Sequence, residues 1–115
     1  MRVLVCGDRN WFNRAAIRRE LAKLPAGTII IEGEARGADT IAREEALALG
    51  LSVKRFPADW AHFGRAAGPI RNLAMLNAKP DRVLAFHTNI AASKGTANMV
   101  KIATKAGKPV EVFTS

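Results

Sequence analysis

One cysteine, Cys6, is all the chain has, so no internal disulfide can form. Cys6 ends an apolar run and is expected to be a buried small hydrophobe in a reducing cytoplasm. No apolar run approaches the roughly 18 residues that a membrane span needs. The start, Met1-Arg-Val-Leu-Val-Cys6, has one positive charge and too short an apolar run for a signal peptide. It reads as a first strand. No basic run exceeds two residues, which excludes a basic tail or arm. His62 and His87 lack metal-ligand spacing and Cys6 completes no site, so neither a metal nor a cofactor is expected. No nucleophile–histidine–acid arrangement stands out. Linkers, internal repeats and low-complexity segments are missing too. Residues 1–115 therefore read as a single domain with one hydrophobic core.

What is present is apolar and basic. Hydrophobic residues make up 49%, which excludes a disordered chain. Lys and Arg number 18 against 10 acids, a net charge of +8. That excess favours an anionic partner. Solubility accounts for much of it, and Lys101, Lys105 and Lys108 complement the dipole near the end of a predicted helix.

The apolar pattern alternates between two periods. Val3-Leu-Val-Cys6 is a continuous run. Asn13 can cap a helix carrying Ile17, Leu21 and Leu24, stopped by Pro25 and Gly27. Thr28-Ile-Ile-Ile31 is a second strand. Ala38, Ile41, Ala42, Ala46 and Leu49 form a helical stripe ended by Gly50. Ser52 to Phe56 is a third strand, and Pro57 to Ala66 a loop without periodicity. Gly68-Pro69 fits a cap followed by proline at the first helical position. Ile70, Leu73, Ala74 and Asn77 then share one face. Arg82 to Phe86 is a fourth strand. A last helix carries Thr96, Met99, Val100, Ala103 and Ala106, and Pro109 to Phe113 is the fifth strand.

This is βαβαβαβαβ, the pattern of a Rossmann-like α/β fold: a doubly wound, five-stranded parallel sheet. The first, second and fourth runs are apolar throughout, as central strands are. The third and fifth mix in Lys54, Arg55 and Glu111, as edges do. The order 3-2-1-4-5 follows. Its switch point falls between strands 1 and 4, where such sheets bind ligands. The Gly7–Trp11 loop and the His87–Thr96 segment should wall that crevice.

Three loops fall on this rim. Gly7-Asp-Arg-Asn10 lacks the later glycines of a dinucleotide loop and is not a Walker loop. It is either a tight polar turn or, given its place at the switch point, a ligand loop. In Gly33-Glu-Ala-Arg-Gly-Ala-Asp39, Gly33 frees the turn. Gly37 and Ala38 let the helix start lie close to a ligand or a neighbouring strand. Asp39 is a cap or a ligand contact. Arg36 has no structural duty. Ser93-Lys-Gly-Thr96 places hydroxyl, glycine and hydroxyl at a helix start, a composition suited to phosphate. A plain cap by Ser93 is the competing reading. Trp60 sits in a long loop and either stacks on a base or covers the core edge. Arg71 and Asn72 lie in the first turns of a helix facing the rim, where arginine opposes the dipole and suits an anion or a salt bridge.

Taken together these residues resemble the SLOG superfamily, in particular its small YspA/YpsA-related branch. The matching pieces are Gly7-Asp-Arg9 with Trp11, and Gly33-x-Ala-Arg-Gly-Ala-Asp39. Phe56-Pro-Ala-Asp-Trp60, Gly64, Ala67-Gly-Pro-Ile-Arg-Asn72 and Ser93-x-Gly-Thr96 complete the set. They span nearly the whole chain in order. The resemblance implies a Rossmann-like fold that binds a nucleotide or a nucleotide-derived ligand. Relatives include the LOG phosphoribohydrolases, which cleave a base from a nucleoside monophosphate, and DprA, which binds single-stranded DNA.

The LOG pattern Gly-Gly-x-Gly-Thr-x-x-Glu carries a catalytic glutamate. Here the stretch is Ala92-Ser-Lys-Gly-Thr-Ala-Asn-Met99, and a methionine neither moves a proton nor holds oxocarbenium charge. Any N-glycoside hydrolysis would need another acid, from Asp8, Glu34 or Asp39. Glu34 stands where this branch often has glycine. The expected activity is binding of a nucleotide-like small molecule through Gly7, Asp8, Arg9, Gly33, Arg36, Gly37, Asp39, Arg71, Asn72, Ser93, Gly95 and Thr96. The alternatives are that hydrolase, and a single-stranded nucleic-acid binder using the basic surface and Trp60. The chain is expected in the cytoplasm, and a homo-oligomer is compatible with it.

Overall fold

Strand β1 (Arg2–Gly7) lies at the centre of a five-stranded sheet. Strands β2 (Ile29–Glu32) and β3 (Ser52–Arg55) extend it on one side, β4 (Arg82–Phe86) and β5 (Val110–Phe113) on the other. All pairings are parallel, in the order 3-2-1-4-5 expected from the sequence. The computed structural model describes residues 1–115. No helix is long and apolar enough to cross a membrane.

Helices cover both faces because β1 is apolar on both. Val3 and Val5 join Ile30, Leu84 and Phe86 beneath α1 (Arg14–Leu21) and α2 (Ala38–Ala48). Leu4 and Cys6 join Ile31, Val83 and Ala85 beneath α4 (Ala67–Asn77) and α5 (Gly95–Lys105), where Met75, Met99 and Ala103 close the layer. Successive strand residues point to opposite faces, so an uninterrupted apolar run is what a doubly covered strand requires. Each fully buried Leu or Ile contributes about 1.5–3 kcal/mol. The charged third and fifth strands are indeed the exposed edges.

Asn13 caps α1, its Oδ1 accepting from the Ala16 N–H at 3.2 Å. The helix ends at Leu21, short of the expected Leu24, which packs half-buried on the core after a turn. Pro25 disfavours helical backbone at the residue before it, so the last turn opens early. The stretch from Pro57 to Ala66 is not structureless. Asp59 caps a short helix α3 (Trp60–Phe63), followed by a 3₁₀ turn at Gly64–Ala66 that runs straight into α4. The α4 helix therefore begins at Ala67, not after Gly68, and Pro69 is its third residue. Proline is tolerated there because the first four N–H groups have no intrahelical partner.

The buried face of α4 also differs from expectation. Ala67, Gly68, Asn72 and Met75 face inward, whereas Ile70 and Leu73 are exposed at 44% and 52%. Asn72 is drawn inward by its hydrogen bonds, which rotates the aliphatic pair outward.

Candidate functional site

The strands β1 and β4 stay paired to Gly7 and Phe86, and the loops beyond them leave a crevice of about 340 Å³ at the switch point. Its floor is Cys6 and Gly7. The β1–α1 loop supplies Asp8, Arg9 and Asn10, and the loop after β2 supplies Ala35 and Arg36. Asp39 enters from the first turn of α2, and Arg71, Asn72 and Met75 from α4. His87 and the Ser93–Thr96 turn close the far side.

The loops hold one another, and glycine is where they touch. A Cβ on Gly7 would strike the Phe86 carbonyl and Ala38. One on Gly37, whose φ is +77°, would strike the Asp8 and Arg9 backbone. The Asp8 carbonyl accepts from the Trp11 N–H and the Ala38 N–H, both at 3.1 Å, fixing the β1–α1 loop against α2. Gly37 thus lies against a neighbouring loop and does not line the crevice. Asp8 Oδ1 accepts from the Asn10 N–H at 2.9 Å, a local turn. Trp11 turns inward, edge-on to Phe86, and its Nε1 donates to the Asn13 carbonyl at 2.9 Å.

Asp39 organises the second loop. Its Oδ2 accepts from the Gly33 N–H at 3.1 Å and the Ala35 N–H at 3.2 Å. Burial pushes its pKa up to about 7, helped by the nearby Glu32 carboxylate and opposed by the two amides and Arg71. Glu32, which sequence reasoning missed, is fully buried at the end of β2. Its Oε2 accepts from the Glu34 N–H at 2.7 Å, while Oε1 is buried without a partner. Burial raises the Glu32 pKa as well, countered by the Glu34 amide. The sequence signal was a carboxylate directly continuing an all-isoleucine strand.

Arg71 reaches across the sheet. Its Nη1 donates to the Gly33 carbonyl at 2.5 Å and its Nε to Asn72 Oδ1 at 3.0 Å. Desolvation lowers its pKa, with the Asp39 carboxyl opposing. Asn72 Nδ2 donates in turn to the Gly95 carbonyl at 3.2 Å and to Asn98 Oδ1 at 3.0 Å. One buried amide thereby fixes Arg71 and ties α4 to the first turn of α5.

At that turn Ser93 Oγ accepts from the Thr96 N–H at 3.0 Å, so Ser93 caps α5 and also lines the crevice. A Cβ on Gly95 would meet nothing within 4 Å. Arg9, Arg36, Arg71 and Lys94 set four cations against the carboxyls of Asp8 and Asp39. The His87 Nδ1 accepts from the Asn89 N–H at 2.9 Å, and its Nε2 lies 3.9 Å from Asp8 Oδ2. Burial drives the Cys6 thiol pKa up, which keeps that floor unreactive.

Ten of the residues singled out from sequence line this crevice: Gly7, Asp8, Arg9, Arg36, Asp39, Arg71, Asn72, Ser93, Gly95 and Thr96. Gly33, Glu34 and Trp60 instead line a neighbouring hollow. Glu34 has φ +56° and pairs with Arg55 at 3.6 Å and Arg43 at 4.0 Å. Asn10, His87 and Lys94 belong to the two segments expected to wall the crevice, whereas Met75 was not anticipated as a lining residue. Met75 was legible as one helical turn beyond Arg71, and Lys94 as the inner residue of the Ser93–Thr96 turn.

An open parallel α/β sheet with a polar, cationic crevice at its switch point defines a Rossmann-like domain. The family model described as "YspA, cpYpsA-related SLOG family" matches residues 1–63. The Gene 61 protein of Mycobacterium phage D29 is 38% identical over 123 aligned residues, covering 97% of this chain and 95% of that protein. The chain belongs to the YspA/cpYpsA-related SLOG family. DNA processing protein A (DprA) from Streptococcus pneumoniae shares the fold, with a TM-score of 0.78 at 16% identity. The match covers 96% of this chain and 49% of DprA, so the chain spans about half that protein's length.

Proposed function

We infer that the chain binds a nucleotide or nucleotide-derived small molecule in the switch-point crevice. The observation that carries this reading is the joint presence there of four cationic side chains and the open first turn of α5. N–H groups at a helix start and arginines converging on one cavity are the donors that phosphate requires. Asp39 weakens the attraction little below pH 7, because its carboxyl holds a proton up to about that pH. Met99, at the position of the LOG glutamate, is fully buried in the core beneath α5 and supplies no acid. That weighs against LOG-type cleavage through this position and favours binding; cleavage would have to draw on another acid such as Asp39, which lines the crevice.

The test has two parts. Freshly purified protein is denatured and the released small molecules identified by mass spectrometry. Nucleoside mono-, di- and triphosphates are then titrated calorimetrically against the protein and its Gly95→Asp variant. Saturable one-to-one binding, weakened at least tenfold by Gly95→Asp, is expected. An acid in a helix's first turn favours the helix, and residue 95 has room for it, so the variant should stay folded. Unchanged affinity in the folded variant would overturn the phosphate site.

A further inference from the structure

Two exposed aromatic rings flank the crevice, and the fold accounts for the exposure of neither. Trp60 is 49% exposed and Phe12 is 90% exposed. Trp60 is held as a platform. Its Cη2 edge lies over Gly68 of α4, where a Cβ would come within 3.3 Å. The Arg9 guanidinium stands 5.9 Å from its ring centroid. Phe12 directly precedes the cap of α1. An apolar residue there ordinarily packs on the fourth helical residue, which here is Ile17. Ile17 is fully buried, and Phe12 belongs to neither core layer.

Each ring lines a hollow of its own, and each hollow shares lining residues with the crevice. The Trp60 hollow, about 510 Å³, shares Arg9, Ala35, Arg36 and Arg71 with it. The Phe12 hollow, about 440 Å³, shares Asp8 and Asn10. Along the rim the order is therefore aromatic, cationic, aromatic. Arg9, Arg36 and Arg71 serve both the crevice and the Trp60 side, while the one arginine at the Phe12 hollow, Arg14, is paired with Glu44 and Glu45.

The geometry points to a ligand with two bases bridged by phosphate, one base on Trp60, the other on Phe12, and the bridge in the central crevice. This rests on the reading of the crevice as a nucleotide site and narrows its ligand to a dinucleotide. Base stacking on an aromatic ring tolerates any base, because every base has a π-face. The phosphate bridge supplies the charge that the central cations complement.

The experiment titrates the four common 5′-mononucleotides and their symmetric 5′,5′-pyrophosphate-bridged dimers into the protein, Trp60→Ala and Phe12→Ala. An eight-nucleotide single strand is run beside them across a salt series. For at least one base, the dimer should bind at least tenfold tighter than its mononucleotide. Phe12→Ala should reduce that gain to threefold or less. Trp60→Ala should weaken the dimer at least fivefold. Equal affinity of monomers and dimers, or a dimer gain that survives Phe12→Ala, would overturn the dinucleotide while leaving the crevice reading intact. Failure of every mononucleotide and dimer to bind would overturn both. An octanucleotide that binds tighter than any dimer, with affinity falling steeply as salt rises, would assign the track to single-stranded nucleic acid instead.

Discussion

The guanidinium of Arg71 occupies the space that a side chain on Gly33 would need, and donates to the Gly33 carbonyl at 2.5 Å. An arginine from α4 and a glycine after β2, 38 residues apart, form one contact that closes one wall of the crevice.

Gly33→Ala should therefore act on Arg71. Displacing the guanidinium breaks its hydrogen bond to the Gly33 carbonyl, which costs about 1–3 kcal/mol. Urea denaturation should show that loss, and nucleotide affinity should fall together with it. Gly33→Ala combined with Arg71→Ala should lose little more stability than Arg71→Ala alone, while binding stays weak. That non-additivity would identify the contact.

Asn72→Ala leaves Arg71 Nε and Asn98 Oδ1 without their partners. Leaving buried polar groups unpaired costs about 1–3 kcal/mol. Thermal melting should register it. Calorimetry should show weaker nucleotide binding as well, because Arg71 and the α5 turn lose their common tie.

Asp39 makes stability and binding depend on pH. Folded, it keeps its proton to about pH 7; unfolded, it releases it near the ordinary value of 3.8. Between those values the folded state binds more protons, so its contribution to stability is present below about pH 4 and is lost as pH rises to about 7. Asp39→Asn can still accept from the Gly33 and Ala35 amides through one oxygen. The variant's melting temperature should be flatter between pH 4 and 7. Nucleotide affinity in the wild type should drop above pH 7, where Asp39 adds negative charge beside Arg71, and this drop should be smaller in the variant.

Base release from nucleoside monophosphates should be slower than ~1 per second, below an ordinary enzyme rate. Met99→Glu should not restore it. That side chain is fully buried between α5 and the sheet, so a carboxylate there destabilises the fold by several kcal/mol instead of reaching the crevice. Product quantification and a melting curve check both halves of this prediction.

Strand order was readable because burial on both faces leaves an unbroken apolar run, and Val3 to Cys6 carries one. The rim loops were readable because their positions follow from that order. What escaped depended on side chains crossing between elements. Helical spacing alone set Ile70 and Leu73 toward the core. The hydrogen bonds of Asn72 to Arg71, Gly95 and Asn98 outweighed it, and no local pattern announces partners that far along the chain. Glu32 escaped for a related reason: a carboxylate after three isoleucines reads as the start of a polar turn. Its burial depends on the Glu34 amide folding back over it. The helix Trp60–Phe63 escaped because so short an element leaves no periodicity to detect.

The rim glycines differ in who claims their empty space, and this sets how the family could diversify. Gly7 and Gly37 are hemmed in by Phe86 with Ala38 and by the Asp8–Arg9 backbone, so drift at either would disturb the scaffold before it altered recognition. Gly95 opens onto vacant volume. Changes of ligand preference during evolution would then enter through residue 95 and its neighbours Ser93 and Lys94, a tunable corner on a frame that tolerates little change elsewhere along the rim.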